Sequence, residues 1–260
     1  MDRSWRAALL AFSILLACVF MAPIAVVAIL SFGEGSYLKF PPSGFSLQWY
    51  ARLIEDERWL ASFYRSVQIG VLASALATVT GFFLAYSLAR GTYSGKRLIL
   101  SLTLLPMIVP GVITAIGLYY VSSQLRLTGN IVWIATCHAV TTLPIVVMIL
   151  LGGLKTIDFN LERAAFSMGA GRLMTFRYIL LPLLFPALLS STLFSFLGSF
   201  DELVISMFLS GTTTVTLPVR IWNSLTLQVE PTIAAVSTFL VAITVLLLLI
   251  DGASKRRRRA

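Results

Sequence analysis

Three kinds of side chain that build chemical sites are scarce in this 260-residue chain, which has 11 Asp and Glu, two Cys and a single His. Cys18 and Cys137 lie far apart, in no metal-binding or redox spacing, and read as small apolar packing residues. With His138 alone, the chain has no cluster suited to a metal and no nucleophile–base constellation, so an enzyme is not expected. Gly91-Thr92-Tyr93-Ser94-Gly95-Lys96-Arg97 resembles a phosphate loop but is one residue short between its glycines. It also lacks the Ser or Thr after Lys that would hold Mg²⁺, so ATP is not expected to bind there. Long linkers, low-complexity stretches and clear internal repeats are missing too, which leaves a single domain over residues 1–260.

What the chain has in excess is apolar length. It is 58% hydrophobic with a mean hydropathy of +0.90, well beyond the needs of a soluble core. Crossing a hydrocarbon core of about 30 Å takes roughly 20 apolar residues. Such runs occur at Ala7–Phe32, Ser66–Ala89, Leu98–Leu125 and Leu127–Leu154; Tyr178–Phe208 is interrupted only by Asp201 and Glu202, and Pro231–Ile250 completes six. These predict an all-α integral membrane protein with six transmembrane helices, a peripheral one at about 7–32 and a five-helix core at about 62–251. Cys18 ends a loose lipoprotein box, Leu15-Leu16-Ala17-Cys18, but a dozen apolar residues follow it without a break, which reads as a retained helix.

Lys and Arg outnumber the acids, 20 to 11, for a formal charge of +9. Placing both termini in the cytoplasm puts 14 of the 20 on the inner side, with the Lys255–Arg259 cluster among them. The excess charge therefore reads as topological signal and attraction to anionic lipid, not as a nucleic-acid footprint. In the first outer loop Trp49, Tyr50, Leu53 and Ile54 are expected along one side of a short interfacial helix. Pro106, Pro110 with Gly111, and Pro144 fall inside apolar runs and are expected to loosen them. His138, with no acid near it in sequence, reads as a packing histidine and not as a proton relay.

One polar island, Leu161 to Pro182, reads L-E-R-A-A-F-S-M-G-A-G-R-L-M-T-F-R-Y-I-L-L-P. Leu161, Ala164, Ala165 and Met168 recur at helical spacing, so a two-turn helix with one apolar stripe is expected, capped by Asp158 or Asn160 and ended by Gly169. Leu181-Pro182 is expected to start the next helix.

These residues closely resemble the EAA loop of permease subunits in ATP-binding cassette importers. The family pattern is E-A-A, three residues, Gly, then a run ending in I-x-L-P, and Ala164, Ala165, Gly169, Ile179, Leu181 and Pro182 match it, as does the frequent Phe at Phe176. Arg163 stands where the pattern has Glu, and Glu162 comes one residue earlier, about 100° around the helix. The resemblance implies a type I importer permease fold with a cytoplasmic coupling loop at about 155–178, in which Glu162, Arg163, Ala164, Ala165, Gly169 and Ala170 meet the ATPase. It also implies a second permease subunit in a heterodimer, an ATPase dimer that carries ATP and Mg²⁺ in place of this chain, an extracytoplasmic substrate-binding protein and a bacterial inner membrane.

Asp201 and Glu202 are the carboxylates well inside an expected span, where a charge is costly and faces a cavity or a partner. As helical neighbours they point about 100° apart, so different tasks are expected of them: a polar substrate path on one reading, capping or subunit packing on the other. Ser199 to Phe208, S-F-D-E-L-V-I-S-M-F, resembles the S-x-D-[DE]-x-V-V-S-x-F segment of spermidine/putrescine-type permeases. Gly44 to Tyr50 and Thr216 to Trp222 resemble further segments of that branch. A polyamine is the expected substrate; an amino-acid derivative, an aminophosphonate or ferric iron are alternatives within the class, and an ion-coupled secondary transporter is a weaker one, because no inverted repeat is visible.

Overall fold

The computed structural model describes residues 3–227 and 231–257, with the side chains of 3, 4, 7, 227 and 243 and of 246 onward outside that description. Among the described residues there is helix and loop but no β-strand. The chain divides into two compact units, Met1–Leu60 with Ile221–Ala260, and Ala61–Arg220.

In the first unit, α12 (Thr232–Arg257) packs against α1 (Arg3–Leu30) and α2 (Gln48–Glu55). The loop between α1 and α2 is closed by an antiparallel bridge between Gly33 and Phe45. Trp49 is buried under that loop and its indole N–H donates to the Gly33 carbonyl at 2.8 Å, while Ile54 stays exposed. The expected side-by-side stripe therefore splits: a buried indole needs an acceptor, and the loop backbone supplies one. Of the sixth expected span, Thr232–Ala242 is a described apolar helix, and Arg258 and Arg259 of the basic cluster lie outside the described residues.

The second unit begins in α3 (Glu57–Arg90) and continues through α4 (Lys96–Ile108), α5 (Gly111–Gln124) and α6 (Ile131–Thr156). It goes on through α7 (Phe159–Ser167), α8 (Arg172–Thr175), a π-helical turn (Phe176–Leu180), α9 (Leu181–Phe200) and α10 (Val204–Leu209) into α11 (Leu217–Leu227). At its centre α6 packs on α9, α4 and α10. Helices in lipid associate by close backbone approach, which small residues permit. α3 supplies Ala73, Ala77, Gly81 and Ala85 at every fourth position, all buried, and α9 supplies Ser191, Ser195 and Ser199 at the same interval. A Cβ on Gly81 would come within 2.6 Å of Val146, and one on Gly153 within 2.7 Å of Ala187.

Among the described residues, four helices are long and apolar enough to cross a membrane: Ala8–Leu30, Glu57–Arg90, Ile131–Thr156 and Arg172–Phe200. α4 and α5 make a fifth only as a pair bent by 102°. The continuous helix expected over Leu98–Leu125 is thus broken. Pro110 bars its predecessor from helical backbone, and Val109 accordingly sits at ψ 129°. Pro144, by contrast, is absorbed within an unbroken α6.

The run Tyr178–Phe208 is broken as well, since α9 ends at Phe200. At its other end α9 begins at Leu181 with Pro182 in its first turn, as expected, but it continues a run that is already helical from Arg172. Pro182 has no N–H for the Tyr178 carbonyl and its ring crowds that turn, which accounts for the wider π-turn just before it.

Candidate functional site

The polar island folds into α7 and a sharp stop. The Asp158 carboxylate accepts the Asn160 N–H at 2.9 Å and so caps the helix. At the other end Ala170 N–H donates to the Ala165 carbonyl and Gly169 N–H to that of Phe166, each at 3.0 Å. This is a Schellman closure, which needs a left-handed residue, and Gly169 has φ +86°. Of the expected apolar stripe only Ala165 is buried; Leu161 is 47% and Met168 89% exposed, and Ala164 is exposed too.

Glu162 points the other way. It is 2% exposed, accepts from Arg90 Nε at 2.8 Å and lies 3.3 Å from the Tyr86 hydroxyl. The same guanidinium donates through Nη2 to the Ile157 carbonyl at 3.0 Å. One ion pair therefore ties α7 both to the end of α3 and to the end of α6. The two side chains are only 13% and 2% exposed, so water screens the pair poorly, and it borders a cavity of about 650 Å³ whose lining includes Phe82, Tyr86, Phe159 and Phe176. Sequence reasoning missed Arg90 and Tyr86 as partners of Glu162. Arg90 had a signal, as the first charge after the apolar run Ser66–Ala89, but it counted only toward topology.

The acidic pair lies at a chain break and not inside a helix. Asp201 is the C-terminal cap of α9, with φ −91° and ψ 0°, exposed, and its carboxylate has no hydrogen bond or ion pair among the described residues. Glu202 Oε1 accepts the Ile205 N–H at 3.0 Å and so caps the first turn of α10. The two carboxylates thus differ in their contacts, because α9 stops at Phe200, just before them. Capping a fresh helix end satisfies backbone donors that an unbroken helix would not expose.

Behind the break lies His138, fully buried in α6. Its Nδ1 is 2.8 Å from Ser199 Oγ and its Nε2 3.3 Å from Ser206 Oγ, so the imidazole bridges α9 and α10 across the gap that carries Asp201. Thr142, one turn on, shares a 2.8 Å hydrogen bond with Ser195. Both serines belong to the S-F-D-E-L-V-I-S segment singled out in the sequence, which makes the partners of His138 legible there in retrospect. The imidazole is a packing residue with both ring nitrogens satisfied.

Among the described residues, no group of three or more His, Cys, Asp or Glu is placed to hold a metal ion. What the arrangement offers instead is a capped and braced helix and, separately, an exposed carboxylate that has no partner among the described residues.

Residues 77–259 match the family of binding-protein-dependent transport system inner membrane components. Among curated proteins, the chain is 28% identical to a spermidine/putrescine transport system permease protein of Haemophilus influenzae, over 90% of this chain and 91% of that one. It is 30% identical to a putrescine transport system permease protein of Escherichia coli K12, over 91% of this chain and 85% of the relative. Its fold matches that of a bacterial ABC transporter involved in import of the acidic polysaccharide alginate, with a TM-score of 0.74 at 17% identity and 98% coverage of both chains.

Proposed function

This chain belongs to the family of binding-protein-dependent transport system inner membrane components, and we propose that it forms one half of the membrane pathway of an ATP-driven importer for a polyamine. It pairs with a second, similar permease subunit and rests on an ATPase dimer that alone binds ATP and Mg²⁺. Substrate reaches it from an extracytoplasmic binding protein. It crosses the bacterial inner membrane six times with both ends in the cytoplasm, and α7 with its Gly169 stop couples it to the ATPase. The match to the importer family and the capped, braced geometry of α7 support that reading.

Asp201 carries the substrate assignment. An exposed carboxylate at the end of a span, beside a buried polar network and without a partner among the described residues, is suited to an ammonium group. At 4 Å such a pair is worth about 4 kcal/mol at an effective dielectric of 20, against about 1 kcal/mol in bulk water. The names of the two relatives point to the same class of cation. The test is uptake of labelled putrescine and spermidine by the complete importer in liposomes with its binding protein. Asp201→Asn should lower uptake about tenfold, equivalent to roughly 1.4 kcal/mol, with the complex still assembled. Glu202→Gln should do less, because an amide oxygen still caps Ile205. Undiminished uptake by Asp201→Asn would remove that residue from the path, and an ATPase stimulated only by anionic or neutral ligands would overturn the polyamine assignment.

A further inference from the structure

The face that α7 turns away from its own chain is basic. Successive helical residues project about 100° apart, so a Glu162 held inward on Arg90 leaves Arg163 pointing outward. Asn160, Leu161, Arg163, Ala164, Ser167 and Met168 are the exposed positions of α7 and its cap that lie 100° or more from Glu162, and Arg163 is the one charge among them. Nearby, Lys155, Arg172 and Arg177 are exposed, whereas the acid at this end, Asp158, is engaged as the cap. Phe159 presets the guanidinium: its ring lies 5.0 Å from Arg163 Cζ on one contact and 4.9 Å from Arg90 Cζ on another. Arg163 has no ion pair among the described residues.

Resting on the reading of α7 as the coupling helix, we propose that the partner ATPase receives it in an apolar groove whose rim carries a carboxylate facing Arg163. Met168 and Ala164 supply the apolar contact and Arg163 the charge beside it, so the complementary surface has an apolar floor and an acidic edge. Where the importer pattern has Glu directly before the two alanines, this chain has the opposite sign. An ATPase built for the glutamate therefore meets a like-charge clash or an unpaired cation here, and Arg163 becomes a determinant of which ATPase this permease accepts.

The experiment measures how much ATPase stays on the affinity-tagged permease complex in delipidated detergent, from about 50 to about 500 mM NaCl, a range over which screening of exposed charges rises steeply. Arg163→Lys should retain the ATPase nearly as the unmodified chain does. Arg163→Glu should weaken retention about tenfold at low salt and less at high salt, and Met168→Asp should weaken it at all salt concentrations. Replacing the facing carboxylate of the ATPase with Arg should rescue Arg163→Glu. Unmodified retention by Arg163→Glu alongside loss in Met168→Asp would overturn the acidic rim and leave the coupling helix standing. Retention by both variants would overturn the coupling reading itself. If Arg163→Glu loses the ATPase only when phosphatidylglycerol is added back, the charge serves a lipid headgroup and the proposal falls.

Discussion

At the residue scale the decisive contact is Arg90 with Glu162. Two charges taken out of water cost several kcal/mol each, a cost offset here by a 2.8 Å ion pair and by hydrogen bonds to Tyr86 and the Ile157 carbonyl. Removing one partner strands the other, so Arg90→Met or Glu162→Leu should each destabilise the protein by about 3 kcal/mol. The double variant, with apolar groups of similar volume on both sides, should recover most of that loss. Thermal unfolding of the purified complex in detergent measures all three, and equal damage in the double and single variants would show that the pair does not act as a unit. His138 follows the same logic with neutral groups: each ring nitrogen has a serine hydroxyl, which makes burial of an imidazole in the middle of α6 tolerable.

At the scale of the element, α7 is a short helix with both ends specified. Nine residues are too few for a stable isolated helix in water, so it depends on the Asp158 cap, the Glu162 brace and the Schellman turn. Gly169 is the least replaceable of these, because its φ of +86° costs a β-branched residue about 1–2 kcal/mol or more. No atom lies within 4 Å of a Cβ built there, so the penalty would be one of backbone conformation and not of crowding. Gly169→Asn, which tolerates the left-handed region, should keep substrate-stimulated ATP hydrolysis near the unmodified level, whereas Gly169→Val should uncouple it from uptake. Equal coupling in the Val and Asn variants would show that the turn is not what aims α7. The broken elements obey related rules: α4 and α5 part at Val109-Pro110, and α9 and α10 part where Asp201 and Glu202 cap the two new ends.

For the whole molecule, the expected topology follows from where Lys and Arg fall relative to the spans. Single cysteines at the exposed positions Ser43 and Ser94, in a background lacking Cys18 and Cys137, report on it in intact cells. An impermeant thiol reagent should label Ser43→Cys and spare Ser94→Cys. Labelling of Ser94→Cys with protection of Ser43→Cys would invert the arrangement. Large exposed apolar surfaces run along α1, where the apolar window is 0% buried, and along α5, where Ile113 and Tyr120 are 59% and 67% exposed. In water such surfaces would drive aggregation; a bilayer accommodates them.

Hydropathy and local motifs were enough to establish an all-helical membrane protein, the position of α7, its cap at Asp158 or Asn160 and its Gly169 stop. Each of these depends on residues within a few positions of one another, or on composition summed over about 20 residues. The acidic pair was visible too, as charge in an apolar run, but the run looked continuous because hydropathy is blind to where backbone hydrogen bonds stop. Only the tertiary structure decided that Asp201 has no partner among the described residues while Glu202 caps α10, and that His138 spans the gap between α9 and α10. It alone also decided that Glu162 faces inward, because Arg90 lies 72 positions away in sequence and only the fold brings it within 2.8 Å. A helical wheel separates Glu162 from Arg163 by 100° but cannot say which of the two faces its own chain; a partly buried cation at the end of α3, Arg90, settles that.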